Sequence, residues 1–259
     1  MKPRKCYRAW RQAVLTCMDR WPVLWKGCRN RATAEQVHDL RVVLRRLRLL
    51  LAVGKGLVDE KSRVAFRAWA RHTCTSASAL RDADVIEAWL RQSEDGLVLA
   101  ARWQRRRGAS VHRWQSKHRV APRGLSRQLL AEPTVKQIKR LARRAERIVQ
   151  AGRDAYAISA KRYWSLAQEE QHQVRRHLRR WRYLLEWNRG WQRPGDPSLK
   201  QILRLQELMG DRGNLQLVHT WSQRTRITAH GPLRAKLAAE RKQLDEKLRR
   251  HLKDLTPAT

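Results

Sequence analysis

The 259-residue sequence predicts an all-α protein. Apolar residues recur every three to four positions through nearly every segment, and no segment alternates apolar and polar residues as a half-buried strand would. Apolar content of 42% is enough for a core and more than a disordered basic tail carries. The third observation is an internal repeat: one basic helical pattern occurs twice, at an offset of 134 residues.

The elements follow in chain order. The first helical stretch carries Cys6, Cys17 and Cys28 at eleven-residue intervals, about three turns, which puts all three on one face. Together with Cys74 they form no C-x-x-C pair, so buried thiols are expected and no metal site. Thr33 with Gln36 reads as a capping box that opens the next helix, and Gly54-Lys55-Gly56 closes it. Asp82-Ala83-Asp84-Val85-Ile86, followed by Trp89 and Leu90, reads as a helix with an acidic first turn. Gly96, Gly108 and the run Pro122 to Gly124 read as breaks. Pro133-Thr134 starts another helix, on which Lys136, Lys139, Arg140, Arg143, Arg144 and Arg147 oppose Val135, Ile138, Leu141, Ile148 and Val149. Breaks at Gly152, Gly190 to Pro197, Gly210 and Gly231-Pro232 divide the rest, with a second capping box at Ser198 and Gln201. The chain reads as roughly nine or ten helices, and the repeat divides it near Pro133 into halves of about 1–132 and 133–259.

The charge is lopsided. Lys and Arg total 58 against 23 Asp and Glu, a formal net charge of +35, and 44 of the basic residues are arginine. Self-repulsion of this size calls for a polyanionic partner: nucleic acid, an anionic membrane surface or an inorganic polyanion. Arginine dominance favours phosphate, because the guanidinium fork matches two phosphate oxygens at once. No apolar stretch approaches the ~18 residues of a membrane span, and no hydrophobic leader follows the basic start at Met1 to Lys5. A soluble, cytoplasmic protein is the expectation.

The repeat locates part of the charge. His38-Asp-Leu-Arg41-Val-Val-Leu44-Arg45-Arg46-Leu47-Arg48 aligns without gaps to His172-Gln-Val-Arg175-Arg176-His177-Leu178-Arg179-Arg180-Trp181-Arg182. At about 100° per residue, His38, Arg41, Arg45 and Arg48 share one side and Arg46 flanks it, while Val37, Leu40, Val43, Leu44, Leu47, Leu50 and Leu51 lie opposite. The second copy repeats this with Val174, Leu178, Trp181, Leu184 and Leu185 on the core side and Arg176 joining the basic one. Solvated helix faces usually mix signs, because like charges at i, i+4 are destabilising. Arg41–Arg45, Arg175–Arg179 and Arg176–Arg180 break that rule in two places. Downstream of each copy, Leu80-Arg81-Asp82-Ala-Asp84-Val85 pairs with Leu208-Met-Gly210-Asp211-Arg-Gly-Asn214.

The duplicated H-x-x-R-x-x-x-R-R-x-R helix, the R-D-x-D-V of Arg81 to Val85 and the R-Y-x-x-E of Arg182, Tyr183 and Glu186 resemble the CHAD domain, the conserved histidine α-helical domain, over essentially the whole chain. The resemblance implies a single domain over residues 1–259, made of two similar four-helix-bundle halves about a pseudo-two-fold axis. It further implies a basic central channel or surface that binds inorganic polyphosphate. The implied binding residues are His38, Arg41, Arg45, Arg46 and Arg48, then His172, Arg175, Arg179, Arg180 and Arg182; Lys139, Arg140, Arg143 and Arg176 extend the basic faces. The second half departs from the family pattern, with Asn214 where an acid follows the L-G motif, and with Arg176 and His177 at positions that are often apolar.

Polyphosphate carries about one negative charge per phosphate and no bases, so it needs closely spaced guanidinium groups and no stacking platform. Association with polyphosphate granules is compatible with such faces. Nucleic acid is the competing partner, because basic helices suit phosphates and the chain has 12 tryptophans. Trp89, Trp181 and Trp221 fall in apolar stripes, whereas Trp103 and Trp114 lie among Arg102, Arg105, Arg106, Arg107 and Arg113 and could form an exposed aromatic-basic segment. Catalysis is not expected. His38-Asp39 resembles the metal-binding dipeptide of H-D phosphohydrolases, but the arginines after it would repel a divalent cation. Asp82 and Asp84 point in different directions on a helix and read as a cap and an ion pair. No cofactor or metal is called for.

Overall fold

The computed structural model describes residues 2–117, 132–224 and 231–254. These residues form helices joined by short connections, with no strand among them. In order they are α1 (Pro3–Asn30), α2 (Ala34–Val53), α3 (Glu60–Ser76), α4 (Ser78–Leu90), α5 (Glu94–Lys117), α6 (Val135–Arg162), α7 (Gln168–Trp187), α8 (Leu199–Arg224) and α9 (Gly231–Asp254). The chain divides into two compact units, Met1–Arg144 and Ala145–Thr259. No helix among the described residues is long and apolar enough to cross a membrane.

Capping chemistry sets several starts. The Thr33 hydroxyl accepts from the Gln36 amide at 3.2 Å while Gln36 Oε1 accepts from the Thr33 amide at 3.1 Å, a reciprocal box at the head of α2. The same exchange joins Thr134 to Gln137 before α6 and Ser198 to Gln201 before α8. Four expected breaks are corrected. Gly96 and Gly108 lie within α5, Gly152 within α6 and Gly210 within α8, while Pro122 to Gly124 lie outside the described residues. At Gly96 and Gly152 the glycine serves close approach instead of a turn. A Cβ on Gly152 would lie 2.4 Å from the Trp181 Cβ, and one on Gly96 would lie 2.0 Å from the Leu90 carbonyl oxygen. The helix containing Asp82 begins at Ser78, so its first turn holds no acid.

In the first unit α2 is central, packed by α1, α3 and α4, with α5 on α4. Val37, Leu40, Val43, Leu44, Leu47, Leu50 and Leu51 are buried. The Trp10 indole donates to the Leu50 carbonyl at 2.9 Å. Trp21, Trp25, Phe66, Trp69 and Trp114 meet largely edge to face across α1, α3 and α5, the T-shaped contacts having centroid spacings of 5.3–5.7 Å. Trp114 corrects its part of the expected exposed aromatic-basic segment: it is 4% exposed and donates to the Ser76 hydroxyl at 3.1 Å, whereas Trp103 stays half-exposed with Arg106 5.9 Å from its ring centroid. Cys6, Cys17 and Cys28 all lie on the buried face of α1. Burial pushes the Cys6 and Cys28 thiols up to about 12 and Cys17 to about 11.

Two arginines tie this unit together. Buried Asp84 on α4 pairs with Arg107 on α5, and Arg107 also donates at 2.7 Å to the carbonyl of Ala32, the turn residue between α1 and α2 with φ +47°. Arg144 donates to the Val53 and Lys55 carbonyls at 3.1 and 2.6 Å, satisfying orphan acceptors at the end of α2. It therefore leaves the free basic face expected of α6, on which Lys139, Arg140 and Arg143 remain exposed. Val135, expected on the apolar stripe, is the first residue of α6 and is 60% exposed.

In the second unit α7 packs on α8, and α8 on α9. Val174, Leu178, Trp181, Leu184 and Leu185 form the buried face of α7. Arg153 on α6 makes two 2.7 Å bonds to the Asp196 carboxylate and a third, at 3.0 Å, to the Trp191 carbonyl. Burial alone would raise the Asp196 pKa. The Arg153 and backbone Arg193 hydrogen bonds outweigh it and hold the carboxyl below its ordinary value.

Candidate functional site

The repeated motif occupies equivalent places on α2 and α7. Both helices are 20 residues long, and His38 and His172 are each the fifth residue of their helix. Both histidines are exposed. The basic residues that follow are half-buried, apart from exposed Arg180.

In the first unit the ridge is wider than the motif. Arg41 donates at 3.4 Å to the Ala77 carbonyl and the Ser78 hydroxyl, and Arg45 donates at 3.1 Å to the Arg41 carbonyl. Burial holds the Arg41 pKa below its ordinary value, with Arg45 and Arg81 repelling it further. Arg48 is lowered by burial and by Arg71 and Arg45; Arg67 by burial and by Arg63 and Arg48. The Nε–H groups of Arg41, Arg48 and Arg67 are buried without an acceptor. Arg67 and Arg71 on α3 and Arg81 on α4 therefore join His38, Arg41, Arg45 and Arg48 in one field of like charge. Sequence reasoning missed Arg67 and Arg71 because they lie outside the repeat. Their signal was the i, i+4 series Arg63, Arg67, Arg71, of which only Arg63 is neutralised, by Glu60 at 2.8 Å. Exposed as its side chain is overall, His38 is lowered by partial desolvation and then by Arg81 and Arg45.

In the second unit Arg175 lies against α8, where two glycines make space for it. A Cβ on Gly213 would meet one Arg175 nitrogen at 2.8 Å, and one on Gly210 the other at 3.3 Å. Gly210 thus accommodates a ridge arginine. Asp211, whose pKa burial raises, lies near Arg175, as Asp82, also raised by burial, lies near Arg41. Arg182 pairs with Glu186 at 3.3 Å and lies 5.0 Å from the Tyr183 ring centroid, so the R-Y-x-x-E motif is a local clasp. Arg176 donates to Gln173 at 3.3 Å. His177 is half-buried, and burial together with Arg180 and Arg176 lowers its pKa. Among the described residues no cluster of three or more His, Cys, Asp or Glu could hold a metal ion.

No curated protein matches the sequence. Among solved structures, the crystal structure of the CHAD domain from the plant Ricinus communis is similar, at 21% identity, over 95% of this chain and 90% of that one, with a TM-score of 0.66. At that identity the likeness speaks for the fold. The family model of the CHAD domain matches residues 12–223, a span that includes α2 with its His38 ridge, α7 with its His172 ridge and most of α8. With the duplicated motif seated at equivalent places on two helices, the chain belongs to the CHAD-domain family.

Proposed function

We propose that the protein binds inorganic polyphosphate without turning it over, through the His38–Arg48 ridge of the first unit and the His172–Arg182 ridge of the second. The observation that carries this reading is the crowding of like charge on the first ridge, where burial and then neighbouring arginines of α2, α3 and α4 hold Arg41, Arg48 and Arg67 below their ordinary pKa. A chain of phosphates offers acceptors to all of them and releases its condensed counterions on binding. Lys139, Arg140 and Arg143 extend the basic surface of the first unit. Tethering to polyphosphate granules in the cytoplasm is the role such faces suit. Duplex or single-stranded nucleic acid is the second reading, and buried Trp114 weakens its stacking argument.

The test is a titration with polyphosphate of several lengths at two salt concentrations, on the wild type and on a variant with Arg45, Arg46, Arg179 and Arg180 replaced by Ala. The variant is expected to bind more weakly with a flatter salt dependence and an unchanged helical circular-dichroism signal. An oligonucleotide of equal charge that outcompetes polyphosphate would transfer the reading to nucleic acid. Release of phosphate in the presence of Mg²⁺ or Mn²⁺ would replace binding with catalysis.

A further inference from the structure

The second unit holds a cleft of about 430 Å³ between the end of α6, the 3-10 turn Tyr163–Ser165 that follows it, and the last turns of α9. Its size falls within the ~300–1,000 Å³ of small-ligand sites and is too small for a folded partner. Five cations line it, Lys161, Arg162, Arg249, Arg250 and Lys253, and no carboxylate does. Trp164 also lines it, its ring centroid 4.3 Å from the Arg249 guanidinium carbon and 5.0 Å from that of Arg212. Arg212 is itself fixed by Asp245 at 2.9 Å and by Gln171 at 2.8 Å, the residue before His172. The Trp164 indole N–H is buried without an acceptor.

These features differ from a solvated helix end. The cations come from two segments remote in sequence, and the indole holds Arg249 in place before any ligand arrives, which lowers the entropy lost on capture. The ring is already engaged by two guanidinium groups, so the chemistry on offer is phosphate capture and not base stacking. We propose that this cleft is a discrete site for a compact run of two or three phosphoryl groups, taken either as free oligophosphate or as the end of a longer chain. It is separate from the α7 ridge and stands whether or not the ridges bind polyphosphate.

The experiment is calorimetric titration of the full chain with linear tripolyphosphate, using three variants. Arg249→Ala with Arg250→Ala tests the cleft, Arg179→Ala with Arg180→Ala tests the ridge, and Arg4→Ala with Arg8→Ala removes the same charge from exposed positions on α1. About one equivalent is expected to bind tightly at the cleft, with at least a tenfold loss of that event in the cleft variant and less than a threefold change in the α1 variant, while the ridge variant is expected to lose any additional, weaker binding at α7. Equal losses in all three variants would reduce the effect to bulk charge and overturn the site, as would unchanged binding in the cleft variant. ATP is expected to bind no more tightly than tripolyphosphate; a clear preference for ATP would overturn the ligand class. Long-chain polyphosphate added to the ridge variant then separates the sources. Displacement of tripolyphosphate assigns the site to chain ends, and failure to displace it assigns the site to free oligophosphate.

Discussion

Gly213→Ala separates stability from binding. Gly213 is an exposed residue inside α8, where alanine is favoured over glycine by about 1 kcal/mol. The added Cβ meets only Arg175, one of whose guanidinium nitrogens would lie 2.8 Å away. The tip of a flexible side chain gives way readily, so the helix keeps its gain. A gain of about 1 kcal/mol raises Tm by about 2–4 °C in a chain of this size. The displaced guanidinium keeps its charge and loses its aim. A charge-assisted hydrogen bond contributes about 1.5–3 kcal/mol, and losing roughly 1 kcal/mol of it weakens polyphosphate binding about fivefold. The number of positive charges is unchanged, so the slope of log affinity against log salt stays as in the wild type, whereas Arg175→Ala lowers that slope by up to about one. Thermal melts by circular dichroism and titrations at three salt concentrations read both quantities. A raised Tm with unaltered affinity would refute the reasoning that the glycine exists to place Arg175, and a lowered Tm would refute the helix argument.

The mirror case is Gly152→Ala, where the Cβ meets the base of Trp181 at 2.4 Å and neither backbone can yield; a loss of about 1–3 kcal/mol is expected in denaturant melts despite the better helix former. Asp196→Asn leaves Arg153 poorly paired in a mostly buried setting and should cost about 3 kcal/mol, or roughly 10 °C in Tm. The folded Asp196 pKa lies below its ordinary value of about 3.9, so its stabilisation is complete above that pH and is lost as pH falls below it; Asp196→Asn should flatten melts over that acid window. Free His38 titrates below its ordinary value because of burial and of Arg81 and Arg45. A bound polyanion offsets that repulsion and raises the pKa, so polyphosphate affinity should climb as pH falls below about 6.5, and His38→Ala should remove its share of the climb in calorimetry at several pH values.

The all-helical fold was legible because the apolar stripes of α2 and α7 are unbroken and their burial follows the wheel position by position. Capping signals were equally local: Thr33, Thr134 and Ser198 each find their glutamine three residues on. Glycine was the misleading residue. Gly152 and Gly210 look like punctuation in one dimension, and only the neighbouring helix reveals that a tryptophan and an arginine occupy the space a side chain would fill. The same limit hid Arg67 and Arg71, which join the α2 ridge by packing and not by motif. Trp114 was misread because its neighbours are arginines in sequence but Trp25 and Ser76 in space. Arg144 stands among free cations in sequence and caps α2 in the fold.

The chain's few acids explain how a ridge of like charge coexists with a stable fold. No Asp or Glu lies between Arg41 and Arg48 or between Arg175 and Arg182. The acids of these two helices stand before the arginines, as first-turn Glu35, Glu169 and Glu170, which the helix dipole favours, and as Asp39, or behind them, as Glu186. Elsewhere several carboxylates are committed to scaffold arginines: Asp84 to Arg107, Asp196 to Arg153, Asp245 to Arg212, Glu60 to Arg63. The first three pairs immobilise a connection or a helix contact, and all four engage an acid that is then less available to a ridge. The i, i+4 repulsion left on α2 and α7 costs a few tenths of a kcal/mol per pair, against about 1.5–3 kcal/mol for each fully buried aliphatic or aromatic side chain on the opposite face. Burial wins by a wide margin, so the ridges can be held rigid and charged at once.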